Sequence, residues 1–289
     1  MKKKLALLLA LCLCLCMFAA CGGDAEETAP ANTASDVNLP LEESDAPESS
    51  EPEAESDLAY VQDKGTLIIG ITEFDPMDYR DESGEWIGFD ADLARAFAEH
   101  LGVEPQFQLI DWDSKILELD GKTIDVVWNG MTLTDEVTSA MECSEPYLNN
   151  AQVVVVKADV ADQYQTAESL AGLNIAVEAG SAGEAAIAEL GYTSTPVLDQ
   201  ATALLEVSSG TCDAAVIDSL MAAAMIGEGT SYDDLTYTVG LTTEEYGIGF
   251  RKGSDLAAEL DAFLDECYAD GSMQTIAETY GVQAALIER

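Results

Sequence analysis

The chain has 289 residues, of which 55 are Asp or Glu and 12 are Lys or Arg, so its formal net charge is −43 at pH 7. Such a negative field disfavours nucleic acid and anionic membrane surfaces as partners. His100 is the single histidine, which leaves little basis for histidine-dependent catalysis or a zinc site, and we expect no cofactor and no metal.

The first 21 residues have the form of a secretion signal. Three lysines precede an apolar run from Leu5 to Phe18, and small residues lead into Cys21; this order is typical of an exported protein. The run is short for a membrane span, although an uncleaved membrane anchor is the alternative. The letters FAAC resemble a lipobox, which implies that Cys21 carries a lipid. We therefore expect an extracytoplasmic protein that is lipid-anchored to the cell membrane.

Residues 22–57 are predicted to form a disordered linker. They are rich in Glu, Asp, Pro, Ser, Ala and Thr and contain no Lys or Arg. Such a composition buries too little apolar surface to offset the entropy of the chain. The folded part is then 58–289, which is long enough for one large domain or two lobes.

From residue 65 onward, strands and helices alternate. The run GTLIIGI predicts a buried strand, and DADLARAFAEHLGV predicts an amphipathic helix that ends at Gly102, with His100 near its end in a capping rather than a catalytic role. The strand PQFQLID, the helix SKILELDGK and the strand IDVVWNG follow. Strands that alternate with helices predict largely parallel sheets with right-handed crossovers.

After SEPYLNNAQVVVV the alternation begins again. Its helices are TAESLAG, SAGEAAIAELG, QATALLEVSSG and SLMAAAMIG, and its strands are LNIAVEAG, STPVLD and CDAAVID. A late strand, EEYGIGFRKGS, precedes the last two helices. The chain thus predicts two similar α/β units. Ligands of such sheets collect beyond the carboxyl ends of the strands, so the facing loops of two units predict a cleft.

Three cysteines lie beyond the signal and the lipobox: Cys143, Cys212 and Cys267. Their spacing is not that of a metal site. Two interpretations fit equally well: one disulfide bond with one free thiol, or three apolar free thiols. Trp128 has two equally supported interpretations, an aromatic residue of the cleft or a residue that packs within the sheet.

These segments, in this order, resemble the extracytoplasmic solute-binding proteins (family 3 type) that serve polar-amino-acid ABC importers. The resemblance runs from about Gly65 to Gly281 and includes GEWIGFDADLARAFAEHLG, DWDSKILELDGKTIDVVWNGMTLTDE, LNIAVEAGSAGEAA and YGIGFRKGSDL. It implies an α/β, two-lobe, type II periplasmic-binding-protein-like fold, in which two hinge strands join the lobes and a cleft lies between them. The lobes would comprise 58–153 plus 247–289, and 154–246.

The resemblance also implies the residues of a ligand site. Phe74 and Trp112 would offer aromatic faces to the ligand, and Asp218 would receive its α-ammonium group. The helix N-terminus at 180–183 would receive its carboxylate without a side-chain cation. The full set of ligand-binding positions is Glu73, Phe74, Trp112, Asn129, Gly130, Met131, Thr132, Glu178, Gly180, Ser181, Ala182, Gly183 and Asp218. Core packing is the alternative for Phe74, and N-capping of the next helix is the alternative for Asp218.

The stretch NGMTLTDEV departs from the family pattern at Val137. Its loop would contact the ligand through backbone groups and a hydroxyl, and the family usually continues with an arginine that clamps the α-carboxylate. Three accounts are open. Backbone N–H groups and the hydroxyls of Thr132 and Ser181 hold the carboxylate; a relocated cation such as Arg80 or Lys157 reaches in; or the ligand has no α-carboxylate.

A second departure is the number of carboxylates. Glu178 aligns with a ligand-facing position, and Glu73 and Asp75 flank Phe74. Crowded, unpaired carboxylates are unfavourable unless a cation joins them or their pKa rises. These residues predict a cationic amino acid as the ligand, with a neutral one close behind, unless they point to solvent.

We therefore predict a binding protein, and no enzyme, that captures a polar amino acid and delivers it to an ABC permease and its ATPase. We expect it to be a monomer. The alternatives are a binding protein for another amine, a receptor subunit of a membrane sensor, and a dehydratase-like enzyme on the same fold that uses Glu178 or Glu73 as acid or base.

Overall fold

The computed structural model describes residues 56–289. The predicted signal, the lipobox cysteine and most of the predicted linker lie outside the described residues. Within 56–289, no helix combines the length and the apolar character that a membrane crossing requires. The α-helices of this part are α1 (Asp57–Lys64), α2 (Phe89–Leu101), α3 (Lys115–Asp120), α4 (Asp135–Ala140), α5 (Ala182–Glu189), α6 (Gln200–Ser209), α7 (Ser219–Met225), α8 (Leu256–Asp270) and α9 (Ser272–Tyr280).

The strands fall into two large sheets and one hairpin. They are β1 (Thr66–Ile71), β2 (Tyr79–Arg80), β3 (Trp86–Ile87), β4 (Glu104–Leu109), β5 (Val126–Thr132), β6 (Met141–Cys143), β7 (Leu148–Asn150), β8 (Gln152–Lys157), β9 (Ile175–Glu178), β10 (Ser194–Val197), β11 (Ala214–Asp218), β12 (Leu235–Gly240) and β13 (Glu244–Arg251). The hairpin pairs β2 with β3.

The first sheet has the strand order β4-β1-β5-β13-β6, and β7 also pairs with β13. Strands β4, β1 and β5 are parallel, as the alternating pattern predicts. Strand β13 is antiparallel to β5, β6 and β7, so the sheet is mixed. Leu67, Ile69 and Ile71 of β1 are fully buried, which places the middle of this sheet in the core.

The second sheet has the order β10-β9-β11-β8-β12. Its parallel part is β10-β9-β11, and β8 runs antiparallel to both β11 and β12. Val154 and Val156 of β8 pack in one apolar cluster with Ile175 and Val216 of the parallel strands. Each sheet therefore combines a parallel half with antiparallel strands next to a crossing of the chain.

The chain passes between the sheets twice. It leaves the first sheet after Asn150 in β7, enters the second at Gln152 in β8, and returns to the first at Glu244 in β13. The predicted bounds at 153/154 and 246/247 fall inside β8 and β13, a few residues later than these changes of sheet. The division of the chain into two moving lobes stays a prediction.

The folded part begins slightly earlier than the composition indicates. Ser56 caps α1, since its Oγ accepts from the Ala59 backbone N–H at 3.0 Å. The Asp57 carboxylate accepts from Arg251 Nε at 3.0 and 3.1 Å, and Arg251 is itself only 8% exposed. Asp57 thus belongs to the folded part rather than to the acidic linker, because a buried arginine requires its charge.

Three open residue assignments have a structural answer. Trp128 is fully buried and packs against Phe97 with ring centroids 6.1 Å apart, so it belongs to the core. His100 lies in the last turn of α2, and its Nε2 is 3.1 Å from Glu259 Oε1. The three cysteines of the described part are free thiols.

Candidate functional site

A cavity of about 300 Å³ lies where the carboxyl ends of β5, β9 and β11 meet. It is lined by residues from both sheets. Predicted positions that line it are Phe74, Trp112, Asn129, Gly130, Met131, Thr132, Glu178, Gly180, Ser181, Ala182 and Asp218. The structure therefore brings most of the predicted site to one place.

Glu73 and Gly183 are placed elsewhere. Glu73 borders a neighbouring cavity of about 290 Å³ together with Asp199, and its carboxylate lies 3.7 Å from Arg80 Nε. Gly183 is buried in α5, and a Cβ there would lie 2.9 Å from Gln152 Oε1. Gly183 allows α5 to pack closely on the second sheet. The resemblance to the family could not distinguish this packing role from a contact with the ligand.

Phe74 and Trp112 form an aromatic part of the wall. Both are largely buried, and the ring of Phe74 meets Tyr246 edge-on at a centroid distance of 6.4 Å. Gly130 has φ of +56°, and a Cβ there would lie 2.6 Å from Phe74 Cε1. A residue with a side chain at 130 would push Phe74 out of place, so the glycine sets the position of this ring.

The predicted loop NGMT is part of strand β5, which continues to Thr132 because β13 pairs with it. The Asn129 side chain makes four hydrogen bonds to residues of the segment that follows β1. Its Oδ1 accepts from the N–H and Oγ1 of Thr72, and its Nδ2 donates to the Thr72 carbonyl and to Asp78. An amide with four bonds has no capacity left, so Asn129 shapes the wall through its backbone.

Asp218 ends β11, is 4% exposed and lines the cavity. Its carboxyl group accepts hydrogen bonds from the side-chain amides of Asn150, Gln152 and Gln200. It occupies the N-cap position of α7, but its side chain makes no capping bond to this helix. Burial, followed by the charge of Glu244, raises the pKa of Asp218 well above its usual value. A cation beside it would favour its charged form.

Glu178 ends β9, is 3% exposed and also lines the cavity. Burial, then the charges of Asp218 and Asp199, raise its pKa to about 8. Its Oε1 has no hydrogen-bond partner among residues 56–289. Burial therefore favours the neutral form of this carboxyl group, whereas a cation such as Lys115 favours the charged form.

The N-terminus of α5 has fewer free N–H groups than expected. The Gly180 N–H donates to Glu184 Oε2 at 2.8 Å, and the Glu184 N–H donates to Ser181 Oγ at 3.1 Å. The Ser181 N–H donates to the Glu178 carbonyl. The helix therefore caps itself with its own glutamate, and this competes with a ligand carboxylate for the site.

Neither of the two relocated cations considered above borders the cavity. The Arg80 guanidinium donates to the Gly84 carbonyl and stacks over Trp86. Lys157 donates to the Ser208 carbonyl and lies 3.7 Å from Asp234. The position of the missing arginine, Val137, is 4% exposed and packs in an apolar cluster of the first sheet.

Lys115 is the lysine that lines the cavity. Its Nζ donates to the Trp112 carbonyl at 3.2 Å and, from the side of the first sheet, to the Gly180 carbonyl at 2.9 Å. Burial lowers its pKa, while Glu136, Glu178 and Asp113 act in the opposite direction. None of the ion pairs within 56–289 includes Lys115. An ammonium group has three N–H donors, so one remains for a ligand.

The sequence contains a signal for Lys115 that the family pattern obscured. Lys115 follows Trp112 by three residues, which places both on one side of a helical turn. Gln152 and Gln200 carry no comparable signal, because strand register and helix packing alone bring them to Asp218. Asp135, Glu136 and Glu189 add exposed carboxylates to the lining. No group of three or more potential ligands within 56–289 is arranged for a metal ion.

Comparisons with known proteins agree with this architecture. The family model described as "Bacterial extracellular solute-binding proteins, family 3" matches residues 67–283. The L-cystine-binding protein TcyJ of Escherichia coli (strain K12) is 29% identical over 228 residues, which cover 77% of this chain and 85% of the relative. The arginine-binding extracellular protein ArtP of Bacillus subtilis (strain 168) is 31% identical over 222 residues, 74% of this chain and 85% of the relative.

A solved structure shows the same fold. The crystal structure of a mutant of ArgBP from T. maritima superimposes with a TM-score of 0.73 at 32% sequence identity, and the match covers 78% of this chain and 98% of that protein. The two-sheet architecture with two chain crossings and a cavity between the sheets is thus a type II periplasmic-binding-protein-like fold. Because the family model spans most of the folded part, the chain belongs to the bacterial extracellular solute-binding proteins of family 3.

Proposed function

We propose that this protein captures a polar amino acid, cationic or neutral, outside the cytoplasm and delivers it to an ABC importer, while Cys21 anchors it to the cell membrane. The observation that carries the proposal is Asp218. It is a buried carboxyl group at a strand end, it lines the cavity, and its protein partners are uncharged amides. A buried carboxylate favours a cationic partner, and the α-ammonium group of an amino acid supplies one.

Lys115 supports a ligand that also carries an α-carboxylate. Its ammonium group borders the cavity, uses two donors on backbone carbonyls, and has a third available. Lys115 would take the role of the family's arginine, whose position is occupied by Val137 in this chain. The ligand carboxylate would then be held both by a cation and by a hydroxyl group. The Ser181 oxygen caps α5, but its hydroxyl proton remains free to donate to the carboxylate.

Glu178 supports a ligand with a second positive charge. Its carboxyl group is neutral when alone, because burial raises its pKa to about 8. A guanidinium or ammonium group nearby would favour the charged form and gain an ion pair shielded from water. A neutral amino acid would leave Glu178 protonated, as a hydrogen-bond donor. We rank a cationic amino acid first and a neutral one second.

The test is a calorimetric and thermal-shift screen of the purified protein against amino acids, polyamines and betaines, since a ligand that binds the native state raises its melting temperature. Arginine, lysine or ornithine should give the largest shifts. The Asp218→Ala variant should bind at least about tenfold more weakly, because a hydrogen bond to a charged group contributes about 1.5–3 kcal/mol. If only amines or betaines raised the melting temperature, the ligand would belong to another chemical class than the amino acids.

Glu178 also favours a second candidate, a dehydratase-like activity. A buried carboxyl group whose pKa is raised to about 8 in a cavity is a possible general acid. Incubation of the protein with amino acids and cyclic carboxylic acids, followed by product analysis, distinguishes the two functions. Binding without turnover supports transport, and product formation that is lost in Glu178→Gln would support catalysis.

A further inference from the structure

A second carboxyl group, that of Glu244, lies beside Asp218. Glu244 begins β13, where the chain returns to the first sheet. In strand register, Asn150 faces Glu244 and Gln152 faces Asp218. Side chains two residues apart on an extended chain point to the same side. The two carboxyl groups and the two amides therefore converge at the point where the chain crosses between the sheets.

The two carboxyl groups share both of these amide donors. Asn150 Nδ2 lies 2.5 Å from Asp218 Oδ1 and 2.6 Å from Glu244 Oε1. Gln152 Nε2 donates to the same two oxygens, at 2.7 Å to Glu244. Thr132 Oγ1 also donates to Glu244, at 2.9 Å. Two carboxylates that are this close repel each other, and a single proton between them relieves the repulsion.

The surroundings offer the pair no ion-pair partner. The titratable groups that act electrostatically on Asp218, or on Glu178 and Tyr246 beside it, are Asp90, Tyr147, Asp199, Glu244 and Lys115, and Lys115 acts there on Glu178. Among residues 56–289, no ion pair includes Asp218 or Glu244. Burial and the charge of Glu244 both raise the pKa of Asp218, which agrees with a proton on this carboxyl group.

We propose that Asp218 and Glu244 hold one proton between them in the ligand-free protein, and that the α-ammonium group of the ligand displaces it. The inference rests on the proposed function, because it assigns Asp218 to the ammonium group. In the step, the carboxyl O–H bond breaks and its proton passes to solvent, both groups become carboxylates, and Asp218 pairs with the ammonium ion. The cluster carries one net negative charge before and after, so the buried site exchanges one cation for another.

Two consequences follow for binding. Each bound amino acid releases about one proton. Because proton and ammonium compete, affinity for a neutral amino acid rises with pH by about tenfold per unit while the shared proton is bound. Glu244 acts through Asp218 and is a positioning residue, since it does not line the cavity.

Calorimetric titrations with L-glutamine in phosphate and in Tris, at pH 6 and pH 7, count the released protons. Glu245→Gln is the matched control, because Glu245 is the exposed neighbour on the same strand. We expect about one proton for the wild type and for Glu245→Gln. Glu244→Gln should release far less than one, and its affinity should change little between the two pH values.

A role of Glu244 in structure alone would lower affinity at both pH values and leave the proton count unchanged, and this result would overturn the inference. L-glutamine binding without proton release in the wild type would overturn it as well and leave the proposed function intact. Failure to bind any amino acid would overturn both.

An infrared spectrum of the ligand-free protein tests the shared proton without any ligand. The C=O stretch of protonated carboxyl groups should lose intensity in Glu244→Gln relative to the wild type, because one of the two carboxyl groups that share the proton is then replaced by an amide. Glu245→Gln should retain the full intensity. Equal intensities in all three proteins would overturn the inference. This test needs no ligand, so it remains decisive if Glu244→Gln is too unstable for the calorimetric titrations.

Discussion

Glu178 is a buried carboxyl group in the wall of the cavity, and its charge depends on which groups lie near it. If the ligand is cationic, Glu178→Gln should weaken the binding of arginine or lysine by about tenfold or more, since a charged hydrogen bond contributes about 1.5–3 kcal/mol, and should change glutamine binding little. Glu189→Gln, at an exposed lining position, is the control. If arginine and glutamine lost affinity equally, Glu178 would not be the residue that selects for ligand charge.

The same residue makes the stability of the ligand-free protein depend on pH. Glu178 has a pKa of about 8 in the folded protein against 4.5 in an exposed glutamate, so the folded chain retains a proton that the unfolded chain releases. Its contribution to stability is complete below about pH 4.5 and is lost as the pH rises to about 8. Denaturant unfolding at pH 5 and pH 8 should show a smaller decline for Glu178→Gln. An identical decline in both proteins would contradict the raised pKa.

Lys115 provides the test for an α-carboxylate on the ligand. Lys115→Met should weaken arginine binding by about tenfold, because it removes one charge-assisted hydrogen bond. It should not weaken the binding of agmatine, which lacks the carboxylate. Lys122→Met is the matched control, since Lys122 stacks over Tyr60 outside the cavity. If arginine and agmatine were affected alike, Lys115 would serve the fold rather than the carboxylate.

The turn between β9 and α5 meets the short helical turn before α3 at very close range. Gly180 has φ of +68°, and a Cβ there would lie 2.7 Å from Asp113 Cα. Gly180→Ala should therefore disfavour the contact between these two turns and weaken ligand binding by about tenfold, equivalent to roughly 1.4 kcal/mol. Binding isotherms and small-angle scattering would measure the two effects.

Gly172→Ala is the control for this prediction. Gly172 has φ of +85°, and a Cβ there would meet nothing within 4 Å. It therefore imposes a similar backbone penalty without the contact. Equal losses of affinity in the two variants would show that backbone strain, and not the approach of Asp113, is responsible.

Elements made of local patterns were predictable, whereas those made by pairing were not. The helices α2, α6, α8 and α9 follow their apolar periodicity, and glycines in left-handed conformation end them at Gly102, Gly210, Gly271 and Gly281. The extension of β5 to Thr132 depends on β13, more than a hundred residues later. A stretch such as NGMT has no apolar alternation of its own, so only its partner strand makes it extended.

The proposed membrane anchor concerns the molecule as a whole. Cys21→Ala should release the protein from the membrane fraction into the soluble fraction, with ligand affinity unchanged, because position 21 is far in sequence from the residues that line the cavity. Cys143→Ser is the control, since Cys143 lies in the folded part as a free thiol, and should stay with the membrane. Cell fractionation and binding assays test both, and continued membrane attachment of Cys21→Ala would contradict the lipobox.

The amino-acid order alone predicts the α/β class, the two successive units, and the residues at or just beyond the ends of the strands, among them Phe74 and Asp218. These features depend on local patterning, and patterning is written along the chain. The tertiary structure decided which charges share the cavity. Arg80 and Lys157 lie elsewhere, Lys115 enters, and Glu244 joins Asp218. Such neighbours come from strand register and from the two crossings between sheets, and contacts between residues far apart in the chain leave no local trace in the sequence.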